Sequence, residues 1–489
     1  MEAYCVKCRE KREIRSATAT FTKRAQPATR GVCAVCGTGL FCMGRTAAHA
    51  GLTPPAPEPP AARKKARGAK RTGKLVIVES PAKARTIGRF LGKGYTLKAS
   101  MGHVRDLLKS RLSVDVENGF APEYRVPNDK RKLLKALRKD VARAEIVYLA
   151  TDLDREGEAI AWHMMESAEI EPERLRRVTF HEITRVAIER AFAEPRAINM
   201  QLVNAQQARR ILDRLVGYSL SPLLWRKVAG RLSAGRVQSV AVRLIVERER
   251  EIESHTPQEY WRIKAELKRA GGAEREPHFV AGLRQVDGKR VGRDKEYRLG
   301  SEADVQPLLR ELEHALWRVQ AVTRGERRRK PSAPYRTSTL QQEASRRLGF
   351  TARRIMVLAQ QLYEGMALDG KQAGGLITYM RTDSVNVSAQ AQKQARNFVR
   401  DQYGESYLPA KPPTYKGAKG AQEAHEAIRP TKVGRTPAVL KDSLSRDQYR
   451  LYQLIWQRFV GSQMAAAIYD TLRVDVLARS AARQYDFRA

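Results

Sequence analysis

Five side chains that could do chemistry stand at two places where an apolar strand should end. The first is Val78-Glu79-Ser80-Pro81-Ala82-Lys83, and the second is Asp152-Leu153-Asp154-Arg155-Glu156. Side chains two apart point the same way in an extended chain, so Asp152 and Asp154 can share one cation. Glu79, Asp152, Asp154 and Glu156 converging in a basic chain would repel unless a cation bridged them. Carboxylate oxygens suit a hard ion, and magnesium keeps several waters while touching a substrate phosphate. Lys83, one turn into the following helix, can reach such a phosphate. The plainer alternatives are a helix N-cap with surface acids for the D-x-D-x-E run and a solvent lysine for Lys83.

A second cluster lies at the front. All five cysteines fall within the first 42 residues, and Cys5, Cys8, Cys33 and Cys36 form two C-x-x-C pairs. Paired thiolates at this spacing suit tetrahedral zinc better than disulfides in a cytosolic protein, with redox cysteines as the alternative. The gap between the pairs is slightly longer than in most zinc ribbons. Cys42 is expected to be buried rather than ligating.

The elements that position these groups follow from the hydropathy pattern. Leu75-Val76-Ile77-Val78 and Ile146-Val147-Tyr148-Leu149-Ala150 are short apolar, β-branched runs, which predict buried parallel strands. Helices are expected over residues 82–91 and from about Arg155. This alternation, continuing to about residue 195, predicts an α/β domain whose ligands sit beyond the carboxyl ends of the strands. Helical patterning covers residues 203–252, with Ile211, Leu212, Leu215 and Val216 as an apolar stripe. It returns over 338–368, 389–402 and 446–464, while 259–323 and 472–476 alternate like strands.

The 489 residues suffice for three or four domains at roughly 100–200 residues each. Lys and Arg total 91 against 53 acids, a net charge of +38, which predicts a polyanionic partner such as nucleic acid. No stretch approaches the ~18 apolar residues of a membrane span, and the N-terminus lacks an apolar signal core, so a cytoplasmic, nucleoid-associated protein is expected. Residues 45–74 form a linker, proline-rich and then basic. Within it Gly68-Ala69-Lys70-Arg71-Thr72-Gly73-Lys74-Leu75 has the spacing of an ATP-binding loop. It lacks the Ser or Thr that holds magnesium and precedes a strand instead of joining strand to helix, so no ATP site is expected.

Several words resemble one family. Glu79 with Asp152, Asp154 and Glu156 resembles the metal-binding TOPRIM domain of topoisomerases and bacterial primases. The segments around them, with Gly102-His103-Val104-Arg105-Asp106-Leu107, Phe180-His181-Glu182-Ile183-Thr184, Gln206-Gln207-Ala208-Arg209-Arg210 and Leu232-Ser233-Ala234-Gly235-Arg236-Val237-Gln238, resemble bacterial topoisomerase I, of type IA. The resemblance extends from about Leu75 to the end. On residue type alone Tyr379 is one of 17 tyrosines, and a phenol of pKa about 10 is a weak nucleophile. The word Leu376-Ile377-Thr378-Tyr379-Met380-Arg381-Thr382-Asp383-Ser384 resembles the family's active-site word and makes Tyr379 the nucleophile, with Arg381 beside it.

The resemblance implies transient cleavage of one DNA strand through a 5′-phosphotyrosine bond, with magnesium and without ATP, relaxing negatively supercoiled DNA. Tyr379, Arg381, Glu79, Lys83 and His425 would be catalytic. Asp152, Asp154, Glu156 and Glu79 would bind magnesium, and His103, Arg177, Arg209, Arg210, Asp213, Arg236 and Gln238 would contact DNA. The fold implied is a multidomain α/β plus α ring, and the family implies a monomer. Its expected parts are a zinc-ribbon-like module (1–44), the linker (45–74), a TOPRIM domain (75–200), a helical base (201–256), a β-rich arch (257–335), a helical domain carrying Tyr379 (336–464) and an arch strand (465–489). Relatives carry zinc modules after the core and continue beyond this end, so the ring is expected to be incomplete at the C-terminus. Two other readings use the same residues: a primase-like or nuclease TOPRIM protein, and a DNA-binding remnant that cleaves single strands without relaxing DNA.

Overall fold

The computed structural model describes residues 1–22, 27–52, 71–271, 277–368, 371–372, 374–417 and 425–489. It divides into two compact units, Met1–Lys70 and Arg71–Ala489. The proline-rich and basic run expected to tether them, with the first part of the ATP-loop look-alike before Arg71, lies mostly outside the described residues.

The first unit is a four-stranded antiparallel sheet in the order β1 (Glu2–Cys5), β2 (Glu10–Phe21), β3 (Pro27–Cys33) and β4 (Gly39–Met43). Its small core is Ala3, Cys5, Ile14, Cys33 and Leu40. A Cβ on Gly31 would lie 2.2 Å from Ile14 Cγ2, so β3 can approach β2 only without a side chain there. Two expectations need correcting. Cys42 is half-buried at the edge of the core instead of inside it. The module also continues past residue 44: a single turn, Ala47–His49, buries His49, whose Nε2 lies 3.0 Å from the Ala28 carbonyl oxygen and whose ring meets Phe21 edge-on.

In the second unit β5 (Lys74–Val78) runs parallel to β6 (Tyr95–Ala99) and to the Ile146–Leu149 strand, which itself pairs in parallel with Leu175–Arg177. Helix α1 (Pro81–Leu91) follows β5, α2 (Arg131–Arg143) precedes the Ile146–Leu149 strand, and α3 (Arg155–Ala168) leaves it. Ser80 caps α1 and Asp154 caps α3, each accepting from a backbone N–H three residues on, at 3.2 and 2.8 Å. A Cβ on Gly157 would fall 2.2 Å from the Asp152 carbonyl oxygen, so glycine lets the start of α3 close onto the Asp152 backbone. This is the α/β domain expected from the strand–helix alternation.

Arg177, expected to touch DNA, is 0 % exposed. Its guanidinium donates to Glu158 and to the carbonyls of Leu149, Thr151, Val178 and Asp152, at 2.6–3.1 Å. The assignment is corrected: Arg177 braces the turn carrying Asp152, because a buried guanidinium takes all its partners from inside. Breaking a buried ion pair from one side costs about 3–5 kcal/mol. Arg177→Ala is therefore expected to lower the urea midpoint by that equivalent, and an unchanged midpoint would refute the bracing role.

The stretch expected to be helical over 203–252 holds two helices, α5 (Met200–Lys227) and α6 (Arg236–Glu253), with α4 (Arg185–Ala193) before them. The apolar stripe on α5 does not behave as a core face: Leu212 is 46 % exposed while Arg214 is 6 % exposed. Arg214 is buried because it donates to the carbonyls of Leu107, Leu108 and Arg111, polar partners that periodicity does not register. An antiparallel sheet then combines Lys264–Leu267, Phe279–Val286, Gln484–Arg488, Ala467–Arg479 and Leu316–Arg329, in that order. Helix α7 (Glu302–Glu313), unforeseen within the alternating stretch, packs Val305, Leu308 and Leu312 against Leu283 and Phe487.

Tyr379 lies in a helical region made of α8 (Thr337–Leu348), α9 (Ala352–Glu364), α10 (Ala389–Tyr403), α11 (Pro437–Leu440) and α12 (Arg446–Ser462). The helical pattern expected over 338–368 is carried by α8 and α9, which part at Gly349, whose φ of 72° is the left-handed conformation that glycine adopts freely. One hydrophobic core runs from Val76, Val78 and Ile183 of the α/β domain through Leu358 and Ile377 to Phe459. The two regions are thus packed together without a gap between their cores.

Candidate active site and metal centre

Strand β5 ends at Val78, so Glu79 and the first turn of α1 stand at its carboxyl end, while the turn after Leu149 sets Asp152 and Asp154 next to them. Lys83 is 0 % exposed and its Nζ bridges the carboxylates of Glu79 and Asp152. Burial opposes the lysine charge, but Asp152 and then Glu79 overcome it and raise the Lys83 pKa. Asp152 itself is pushed up to about 7, first by burial and against the pull of Lys83, with Glu79 adding to the rise.

Tyr379 arrives from the helical region. Its hydroxyl donates to Asp154 Oδ2 at 2.6 Å, and its backbone N–H donates to the His181 carbonyl at 2.8 Å. Asp154 therefore caps α3 with Oδ1 and receives the phenol on Oδ2, so the plain helix-cap reading and the chemical one hold for one residue. Burial first, then the charges of Asp152 and Asp154, raise the Tyr379 pKa far above the ordinary phenol value. Arg381 Nη1 stands 3.9 Å from the same Asp154 oxygen, and the His425 ring lies edge-on to Tyr379 with centroids 6.4 Å apart.

Glu156 turns toward His103 and Gln206, and the His103 hydrogen bond, more than any other influence, holds its pKa down to about 2. Asp152 and Asp154 thus have different partners, and Glu79, Asp152, Asp154, Glu156 and Arg381 all line one open cleft of about 700 Å³. The fit to magnesium is one of donor type: oxygen ligands at the rim of a cleft, two of them pressed together around Lys83. Next to it a cavity of about 260 Å³ is lined by His103, Tyr124, His163, Arg209, Arg210 and Asp213. Arg210 pairs with Asp106 at 2.7 Å, Arg236 with Asp213 at 2.8 Å, and Gln238 meets Ser233 at 3.4 Å.

Three contributors escaped the sequence reading. Tyr363, wholly buried, points its hydroxyl at Asp152 (3.4 Å) and stacks edge-on to Tyr379 at 5.3 Å. It sits in the apolar stripe of α9 and carries no signal of its own. Glu182, next to His181, pairs with Arg429 at 3.1 Å, and Arg429 also holds Glu426 at 2.6 Å. Glu182 lies inside a word noticed for its resemblance, but an ion pair between distant segments has no spacing to betray it.

At the front, Cys5, Cys8, Cys33 and Cys36 bring their sulfurs within 4.8 Å of one another. Cys5 and Cys36 are 3.4 Å apart and Cys8 and Cys33 3.9 Å, close to the edges of a tetrahedron with Zn–S bonds of about 2.3 Å. The four can hold a metal ion. Sharing hydrogen bonds with Cys36 above all, Cys8 is pushed up to about 12, since crowded thiols resist ionising without a cation. Cys33→Ser is expected to abolish stoichiometric zinc in the purified protein; zinc retained at one per chain would rule out the site.

The profile of the DNA topoisomerase family matches residues 197–489, more than half of the chain, and that of the Toprim domain matches residues 74–183. The chain belongs to the type IA DNA topoisomerase family. Its fold is similar to that of full-length topoisomerase I from Thermotoga maritima, with 39 % identity and a TM-score of 0.72. The match covers 85 % of this chain and 64 % of that one, so the chain spans less than two thirds of this relative's length. Residues 4–43 match a domain of unknown function. The topoisomerase match begins just before α5 and takes in Tyr379, while the Toprim match takes in all four acids, so the cleft joins the two matched regions. No helix among the described residues is long and apolar enough to cross a membrane.

Proposed function

We propose that this chain cleaves and reseals one strand of underwound DNA through Tyr379, with magnesium and without ATP, acting as a monomer on the bacterial nucleoid in the cytoplasm. The observation that carries this reading is the 2.6 Å contact of the Tyr379 hydroxyl with Asp154 at the acidic edge. The Tyr379 oxygen attacks the phosphorus and becomes linked to the 5′ phosphate, while its proton passes to Asp154 or water. The 3′ oxygen leaves and takes a proton from the Glu79–Lys83 pair, which later removes it so that the 3′ hydroxyl can reseal the strand. Arg381 steadies the charge that builds on the phosphate oxygens, and His425 lies edge-on to the phenol. Asp152 and Asp154, with Glu79 and Glu156 near, would hold magnesium, which would supply positive charge to offset that of the phosphate. Exchanging one phosphodiester for another is nearly balanced, and torsional strain gives direction, so no nucleotide is consumed. Arg209, Arg210, Arg236, Gln238, His103 and Asp213 line the approach of the strand. In the amino-terminal module we assign the cluster of Cys5, Cys8, Cys33 and Cys36 to zinc.

The test is end-labelled single-stranded DNA incubated with the protein and magnesium and then denatured. Label migrating with protein supports cleavage through a tyrosine, relaxation of a negatively supercoiled plasmid then separates the full reading from a remnant that only cleaves, and incorporation of nucleotides points to a primase.

The acidic edge also predicts a pH dependence. A carboxyl raised to about 7 is mostly neutral below that value and becomes a cation ligand as the pH rises through it. The magnesium concentration giving half-maximal cleavage is therefore expected to fall between about pH 6 and about pH 8. Asp152→Asn should lose that step; a step of the same size in the variant would assign it to another group.

A further inference from the structure

We infer that α2 grips duplex DNA through its phosphates, on the outer flank of the α/β domain. This surface deepens the strand-cutting reading and rests on it for its substrate. Helix α2 buries Leu134, Leu137 and Val141 against the sheet face that carries Leu75, Ile77, Val147 and Leu149. Strand alternation sends Val76, Val78 and Tyr148 to the other face, where the helical region with Tyr379 packs. The helix therefore stands on the far side of the sheet from Tyr379. Its exposed residues are Arg131, Lys132, Lys135, Ala136, Lys139, Ala142 and Arg143, which are five cations, two alanines and no acid.

Arg131, Lys135, Lys139 and Arg143 follow one another at i, i+4, where like charges repel and weaken a helix. Neutral residues such as alanine would form the same exposed turns as well or better, so folding does not explain the row. Neighbouring acids do not absorb it either. At the flanks of the exposed arc Asp140 pairs with Lys98 at 3.3 Å and Glu169 with Arg138 at 3.2 Å. Glu166 acts on Arg105, while Asp129 and Glu145 lie beyond the two ends of the helix. None of the five cations has an ion pair or a side-chain hydrogen bond among the described residues.

From Arg131 to Arg143 the helix rises about 18 Å, over which one strand of a duplex presents about five phosphates. The face holds no aromatic ring to stack an unpaired base, so it suits a backbone whose bases are already stacked inside a duplex. Position selects DNA over an acidic protein. Lys130 Nζ, one residue before α2, donates to the Met101 carbonyl at 2.8 Å, and the next residues, Gly102 and His103, line the cleft of Glu79 and Asp152. The row of cations thus starts at the rim of the cleft. It ends just before β5, where the Arg143 carbonyl accepts from the Thr72 N–H at 3.0 Å.

The test uses the whole chain carrying Tyr379→Phe, so that no strand is cut, and two probes. One is a single strand of about 12 nucleotides, and the other joins that strand to a duplex of about 20 base pairs. The tailed duplex is expected to bind more tightly than the strand alone. Lys132→Gln with Lys135→Gln and Lys139→Gln should weaken the tailed duplex about tenfold and lower the slope of log affinity against log salt by about 3. Single-strand affinity should stay the same, and the thermal midpoint should hold or rise as repulsion along the helix is relieved. Arginine at the same three positions should retain the duplex gain. So should Arg284→Gln with Lys289→Gln and Arg290→Gln, which removes as much charge from exposed positions of the antiparallel sheet and its hairpin. Equal losses in both glutamine sets would make the effect one of overall charge and overturn the site. A loss that falls equally on the single strand overturns it too. Unchanged duplex affinity in the α2 variant does the same, and loss of polyglutamate binding in its place would give the row to an acidic protein. Failure of the strand-cutting reading shows separately, as absence of adduct with Tyr379 intact, and leaves these affinities standing.

Discussion

Tyr379→Phe is expected to remove every covalent protein–DNA adduct and to lower cleavage of labelled single strands to background, a loss on the order of 10⁶-fold for a nucleophile without a substitute. The structure makes this substitution unusually clean. The ring stays between Tyr363 and His425, whose edge-on contacts depend on the carbons. Only the hydroxyl on Asp154 is lost, and Asp154 still caps α3 through its other oxygen. The thermal midpoint should therefore move little, and DNA binding by the blocked protein should persist. Tyr363 provides the control. It is also a phenol beside Asp152, but it is wholly buried and its hydroxyl points at Asp152 and not at Asp154. Adduct that survives Tyr379→Phe and vanishes with Tyr363→Phe would move the nucleophile to α9 and overturn the mechanism.

The second large effect belongs to Lys83. Replaced by methionine, it keeps most of its volume and loses the charge that holds Glu79 and Asp152 together. A buried carboxylate, Asp152, and a half-buried one, Glu79, then face each other, and one of them must take a proton or draw in a cation. Single-turnover cleavage is expected to drop by about 10²–10⁴-fold, the usual range for a proton-transfer group. The melting temperature should fall in the absence of magnesium and recover in part when magnesium is added, since the ion replaces the missing positive charge. Wild-type cleavage in Lys83→Met would exclude Lys83 from proton transfer and leave it a structural counter-ion.

The largest errors in reading the sequence came where polar groups are buried. Arg177, expected to touch DNA, braces the turn before Asp154, and Arg214, which no expectation singled out, binds the carbonyls of Leu107 and the residues after it. A guanidinium is buried when backbone carbonyls surround it, and those carbonyls come from segments far away in the chain. Helix α7 was hidden for a related reason. Its apolar residues satisfy a sheet whose strands come from both sides of the Tyr379 region, so its local pattern made sense only with that sheet in place.

By itself the sequence determined the strands that end at Glu79 and before Asp152, the helix starting at Arg155, the paired cysteines and the basic balance. Each is written in neighbouring residues, where hydropathy, capping and spacing act over a few positions. The tertiary structure alone decided that Tyr379 meets Asp154 across 225 positions of chain, that Lys83 stands between two acids, and that Tyr363 and Arg429 complete the surroundings. Those contacts depend on one continuous core bringing the α/β sheet against the helical region, and burial of that kind is a property of the whole fold.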